Sequence, residues 1–176
     1  MKSIVKFYLE IFLKTGLLFL VLFLAIWLIL RWNIDIVDVV SIAAIWGAFM
    51  SLGIGTMHVL LIRRGGEKEF TDSTLRVNQN RVVSSTISKN ELFEMLKADQ
   101  YFGRMKVFEQ DDCVKVKTKM TFWSFGENIV IRTKALNENI FEYNISSKPW
   151  LPTTLVDYGK NLRNINRLEN LIAPLG

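Results

Sequence analysis

TGLLFLVLFLAIWLIL, residues 15–30, holds no charged side chain. Ile11, Phe12 and Leu13 extend it, and Lys14 can send its amine toward lipid head groups. The run then reaches about 20 residues, the length that crosses a bilayer. A second uncharged run follows after a short connection: VVSIAAIWGAFMSLGIGTMHVLLI, residues 39–62. Lipid offers no water to backbone N–H and C=O groups, so both runs are read as helices, with spans at 11–30 and 39–62. A cleaved signal peptide is the competing reading of the first run. Its length, the lack of a small-residue cleavage site and the second apolar run argue against it.

The charges flanking these runs give an orientation. The connection RWNIDIVD, residues 31–38, carries Asp35 and Asp38 and one basic residue, Arg31. The outer flanks carry Lys2, Lys6 and Lys14 on one side and Arg63, Arg64 and Lys68 on the other. By the positive-inside bias, both termini are expected in the cytoplasm, with the chain two-pass in the inner (cytoplasmic) membrane. Trp27 and Trp32 lie near the loop end, where interfacial anchors belong. The net charge of +5 is partly a product of these flanks. Residues 1–64 hold six basic and three acidic side chains, leaving 16 of the 22 basic and 14 of the 17 acidic residues to the remainder. That balance gives no nucleic-acid footprint.

The two spans differ in character. The first is rich in Leu, Phe and Ile, which suits a lipid-facing helix. The second carries Ser41, Ala44, Ala48, Ser51 and Gly55 at spacings of three and four, and Gly47 and Gly53 add further small positions. Small residues in such a stripe let helix backbones approach closely. Packing against the first helix is the plainer reading, and contact with a membrane protein partner or a second copy of the chain is the sharper one. His58, the only histidine, lies near the cytoplasmic end of the second span. No Asp or Glu inside either span could complete a proton relay with it, so a structural role is favoured.

Gly65-Gly66 closes the hairpin at residues 1–64. Residues 66–176, about 110 residues, are of a size to hold one core. Residues 73–85, STLRVNQNRVVSS, read as strand, with a small turn at Asn78–Asn80. Ser88 with Glu91 forms a capping-box pattern ahead of an apolar face of Leu92, Phe93 and Leu96. Strand signals follow at 104–109, 113–122, 128–135 and 140–146. In the second of these, Val114, Val116, Thr118 and Met120 alternate with Lys115, Lys117 and Lys119, the pattern of a sheet with one dry and one wet face. Leu162, Ile165, Leu168, Leu171 and Ile172 make a closing helical stripe. The expected fold is α+β: a transmembrane hairpin, then a two-layer domain of about four to six antiparallel strands with two helices on one face.

Catalytic templates mostly fail. The soluble part has no histidine, which removes Ser-His-Asp and Cys-His arrangements there. One cysteine and one histidine cannot form the usual zinc site, and no glycine-rich phosphate loop occurs. Asp111-Asp112 reads as a turn, and Cys113 as a small buried hydrophobe. A hydrolase built on carboxylates such as Asp157 and Glu127 is a remote reading. The row Lys115, Lys117 and Lys119 reads as a solvated strand face or, more pointedly, as a contact to anionic lipid. Trp123, Phe125 and Trp150 could line an apolar pocket.

One stretch stands apart: SSKPWLPTTLVDYGKNLRNI, residues 146–165, in which Asp157, Gly159 and Asn161 form D-x-G-x-N ahead of the last helix. Asp and Asn can cap helix N–H groups, and Gly permits positive φ. The stretch resembles the C-terminal signature of the bacterial and plastid family called domain of unknown function 1499, over about residues 82–172, with Val82–Ser85 ahead of the first helix. Lys148 stands where that pattern has arginine, Pro149-Trp150 interrupts the strand end, and Asn164 replaces a basic residue before Ile165. The resemblance implies no established reaction. The function expected is therefore a non-enzymatic, membrane-anchored accessory or interaction module without cofactor, metal or nucleic acid. The alternative is a lipid- or apolar-ligand-binding domain at the membrane surface.

Overall fold

The computed structural model describes residues 2–30, 35–121 and 124–173. Trp32 and Trp123 lie outside these residues. The chain divides into two compact units, Met1–Leu75 and Arg76–Gly176.

The first unit is built on two long helices, α1 (Lys2–Leu30) and α2 (Ile36–Arg64). Both are long and apolar enough to cross a membrane. The Asp35 carboxylate caps α2 by accepting the Val37 N–H at 3.1 Å. Buried positions recur along α2 at Val39, Ala43, Gly47, Ser51, Gly55 and His58, a period that keeps one stripe against α1. The outer surface of both helices is aliphatic and aromatic, as at Leu17, Ile45 and Phe49, which are 63–70% exposed. Such a surface suits hydrocarbon rather than water. A short helix, α3 (Asp72–Leu75), belongs to this unit. Lys6 Nζ reaches the Asp72 carboxylate at 2.9 Å, and Leu75 is buried. The boundary between the units therefore falls later than the glycine pair suggests.

The second unit has the order β1 (Gln79–Ser85), α4 (Lys89–Ala98), β2 (Lys106–Glu109), β3 (Cys113–Lys117), β4 (Glu127–Ala135), β5 (Phe141–Pro149) and α5 (Lys160–Ile172). The strands form one antiparallel sheet in the order β1-β5-β4-β3-β2. Residues 73–85 are not one strand with a turn: α3 takes the start and β1 the end. Ser88 and Glu91 form the reciprocal capping box that opens α4. Leu92 and Leu96 of α4 and Ile165, Leu168 and Ile172 of α5 enter the same core as Val116, Ile129, Tyr143 and Ile145. The pairings Val116↔Ile129 and Ile131↔Ile145 put those strand residues on one face, so both helices cover that face alone.

β3 ends at Lys117, sooner than its alternating pattern suggests. At Thr118 the side-chain hydroxyl, not the backbone carbonyl, accepts the Glu127 N–H and also donates to the Glu127 carboxylate, which breaks the ladder. The alternation therefore lapses beyond it. Met120, expected on the dry face, is 64% exposed. β5 in turn runs through Lys148 to Pro149, so the proline ends the strand rather than interrupting it.

Candidate functional site

The D-x-G-x-N turn organises a buried polar cluster between β5 and α5. Two successive residues there adopt left-handed backbone: Tyr158 at φ 54° and Gly159 at φ 69°. Glycine takes that region without steric cost, whereas tyrosine does not. The turn aims the Asp157 carboxylate back at the first turn of α5. It accepts the Gly159 N–H at 3.1 Å, the Asn161 N–H at 2.7 Å and the Asn161 side-chain amide at 2.8 Å. A negative group at a helix N-terminus satisfies orphan N–H donors and complements the helix dipole. Asp157 is 3% exposed and Asn161 fully buried.

From Asn161 the cluster continues into the sheet. The Ser147 hydroxyl donates to Asn161 Oδ1 at 2.6 Å and receives the Asn164 amide at 3.3 Å. Asn164 Oδ1 accepts the Tyr101 hydroxyl at 2.8 Å. Asn164 thus ties α5 to the segment after α4. Burial pushes the Tyr101 phenol above its usual range, with the Arg167 guanidinium stacked 4.1 Å from its ring pulling the other way.

Glu127 is a second buried centre. Its carboxylate accepts the Thr118 and Ser124 hydroxyls and pairs with Lys160 Nζ at 2.8 Å. The Glu127 side chain is fully buried and that of Lys160 is 18% exposed. A buried charge of this kind is tolerated because its partner and hydrogen bonds are all in place. Asp157 thus holds backbone and side-chain donors of the framework, and Glu127 holds side-chain donors from the loop and α5.

The β3–β4 loop and the segment after β5 meet at one end of the sheet, where the Trp150 N–H donates to Gly126 O at 2.8 Å. Met120, Phe125 and Trp150 are 54–64% exposed there. Phe125 and Trp150 therefore stand at the surface rather than within the core. The interior between sheet and helices is filled by side chains such as Leu92, Phe102, Ile131 and Ile165, all nearly or wholly buried.

The other expected site residues separate into groups. Gly47, Ser51 and Gly55 lie in the α1–α2 seam, whereas Ser41, Ala44 and Ala48 are exposed off it. A Cβ on Gly47 would come within 2.9 Å of Phe12 O and 3.1 Å of Gly16 Cα, so the backbones touch there. The Ser51 hydroxyl donates to Tyr8 O at 2.7 Å. His58 is buried, stacked 4.9 Å from the Phe7 ring, with Nε2 3.3 Å from Leu75 O. Lys115 and Lys117 project from the helix-free face of the sheet, and Lys119 lies beyond the strand. Asp111-Asp112 makes the β2–β3 turn, and Cys113 is buried with its thiol pushed up by burial and by Asp112. Among the described residues, no three His, Cys, Asp or Glu side chains gather as a metal site.

Sequence reading missed the Ser147–Asn164–Tyr101 branch and the Lys160–Glu127 pair. One signal was present: Asn161 and Asn164 sit at helical spacing among Leu162, Ile165 and Leu168, so two amides interrupt an apolar face. No family model matches the chain, and neither a curated protein nor a solved structure was found similar to it.

Proposed function

We propose that this chain is a two-pass, membrane-anchored interaction module without catalytic activity of its own, held in the cytoplasmic membrane with both termini in the cytoplasm. The observation that carries this reading is the consumption of the buried carboxylates. Asp157 and Glu127 are engaged by donors from the turn, the loop and α5, which is the signature of a framework rather than a reaction centre. Family membership in domain of unknown function 1499 stays part of the proposal: the D-x-G-x-N turn then serves as the lock between the last strand and the last helix. A partner within the membrane would meet the exposed side of α2, where Ser41, Ala44 and Ala48 offer a close approach.

The experiment is a mass measurement of the full chain purified in mild detergent. The reading expects a defined complex, either a homo-oligomer or a stoichiometric assembly, above the 20.4 kDa of one chain. A strict monomer at every concentration, with no companion, overturns it. The second reading is lipid binding. The filled interior argues against a pocket, so this reading rests on the surface of the second unit.

A further inference from the structure

We infer that the end of the second unit formed by the β3–β4 loop and the segment after β5 docks onto the surface of an anionic lipid bilayer, with Met120, Phe125 and Trp150 entering the interfacial layer. This rests on the membrane-anchored reading above and deepens its lipid-binding form.

The cationic part of the surface follows from strand register. Lys106 pairs with Lys117, Lys117 with Asn128, and Asn128 with Lys148, so one row crosses four adjacent strands. Val116 and Ile129, the buried neighbours of Lys117 and Asn128, face the core, which turns this row to the helix-free side. The row is the one nearest the loop that carries Met120 and Phe125, and Lys119 lies in that loop. Glu127, the acidic residue beside the row, is buried and neutralised by Lys160. Three large apolar side chains next to four lysines is the composition of a lipid interface: aromatic and thioether groups in the boundary layer, ammonium groups on phosphate.

The opposite end of the sheet shows what the charge decides. It also exposes apolar side chains, Leu136 and Ile140, but its turns carry Asp111, Asp112 and Glu138, which outnumber Arg132 there, while Glu142 faces Lys134 across the sheet. An anionic leaflet attracts the first end and repels the second. Chain connectivity agrees. β1 enters the unit at the lysine end, Gln79 pairing with Ser147 beside Lys148, so the segment arriving from α2 reaches that end first. A bilayer is thus the anionic surface that the chain itself brings within reach.

The test uses the full chain carrying Cys113→Ala, reconstituted in phosphatidylcholine alone or mixed with phosphatidylglycerol. An environment-sensitive dye is placed at Phe125→Cys, at Met120→Cys or, as the control at the far end, at Glu138→Cys. Quenching by lipids brominated on their acyl chains is then measured. The inference expects strong quenching at positions 120 and 125 only when phosphatidylglycerol is present, and little at 138. Adding Lys117→Gln and Lys148→Gln should weaken the contact about fivefold per residue, with the circular dichroism spectrum unchanged. Equal quenching at the two ends, or quenching indifferent to phosphatidylglycerol, overturns it. So does a tip shielded from the quencher by cross-linking to protein. A monomeric mass in detergent leaves this result unaffected, so the two proposals fail separately.

Discussion

The Ser147 hydroxyl on β5 lies 2.6 Å from the side-chain oxygen of Asn161 in the first turn of α5. That bond joins the sheet to the Asp157 turn, and Asn164 joins it to Tyr101. Replacing Asn161 with Ala leaves the buried Ser147 hydroxyl hydrogen without its acceptor and removes one of the donors to the buried Asp157 carboxylate. Each unsatisfied group costs about 1–3 kcal/mol. Asn161→Ala is therefore expected to lower unfolding stability by about 3 kcal/mol, and Ser147→Ala by less, in denaturant titrations of the full chain followed by circular dichroism.

The Tyr158-Gly159 pair supplies a backbone test. A side chain at Gly159 has to occupy φ 69°, at a cost of about 1–2 kcal/mol. Gly159→Ala should lower the melting temperature, whereas Gly66→Ala should cost the second unit nothing, although Gly66 also has positive φ (101°), because it lies outside that unit. Differential scanning calorimetry of the two variants separates these outcomes.

Tyr143 gives a pH dependence. It is fully buried with its hydroxyl donating to Ile87 O at 2.5 Å, and burial, reinforced by Glu91, pushes its phenol up to about 12. An exposed tyrosine titrates near 10. The folded chain keeps this proton where the unfolded chain has lost it. The contribution is complete below about pH 10 and is lost as pH rises through about 12, amounting to about 3 kcal/mol by linkage. Stability measured from pH 9 to 12 should fall, and Tyr143→Phe should flatten that slope while costing about 1 kcal/mol at neutral pH for the lost hydrogen bond.

The helix seam predicts a contrast between two glycines. A Cβ at Gly47 meets the backbone of α1 at 2.9 Å, whereas one at Gly53 meets nothing within 4 Å. Gly47→Val should destabilise the hairpin by about 1–3 kcal/mol. Gly53→Ala should be neutral or better, since alanine is the stronger helix former. Unfolding by sodium dodecyl sulfate from mild detergent micelles reads both.

Local patterns made much of this fold legible. Uncharged runs gave both long helices, the Ser88–Glu91 spacing gave α4, and apolar periodicity gave α5. What escaped depended on long-range partners. β3 stops at Lys117 because Thr118 bonds to Glu127 across the hairpin, and no periodicity reveals that. Residues 73–75 read with the strand that follows them, yet Asp72–Leu75 forms helix beside α1. The D-x-G-x-N motif was readable as a cap, but its partners Ser147 and Tyr101 lie on other elements. The small-residue stripe covered more than one face of α2, and only the Gly47, Ser51 and Gly55 side meets α1.

The central claim, a two-pass anchor with its second unit in the cytoplasm, is tested most directly by labelling introduced cysteines in intact cells with a membrane-impermeant thiol reagent. In the Cys113→Ala background, Val37→Cys at the start of α2 and Asn139→Cys in the β4–β5 loop are compared, both in protein that resists alkaline extraction from membranes. The account predicts labelling of Val37→Cys from outside and of Asn139→Cys only after the membrane is opened. Labelling of Asn139→Cys in intact cells, or release of the chain by alkali, would contradict it.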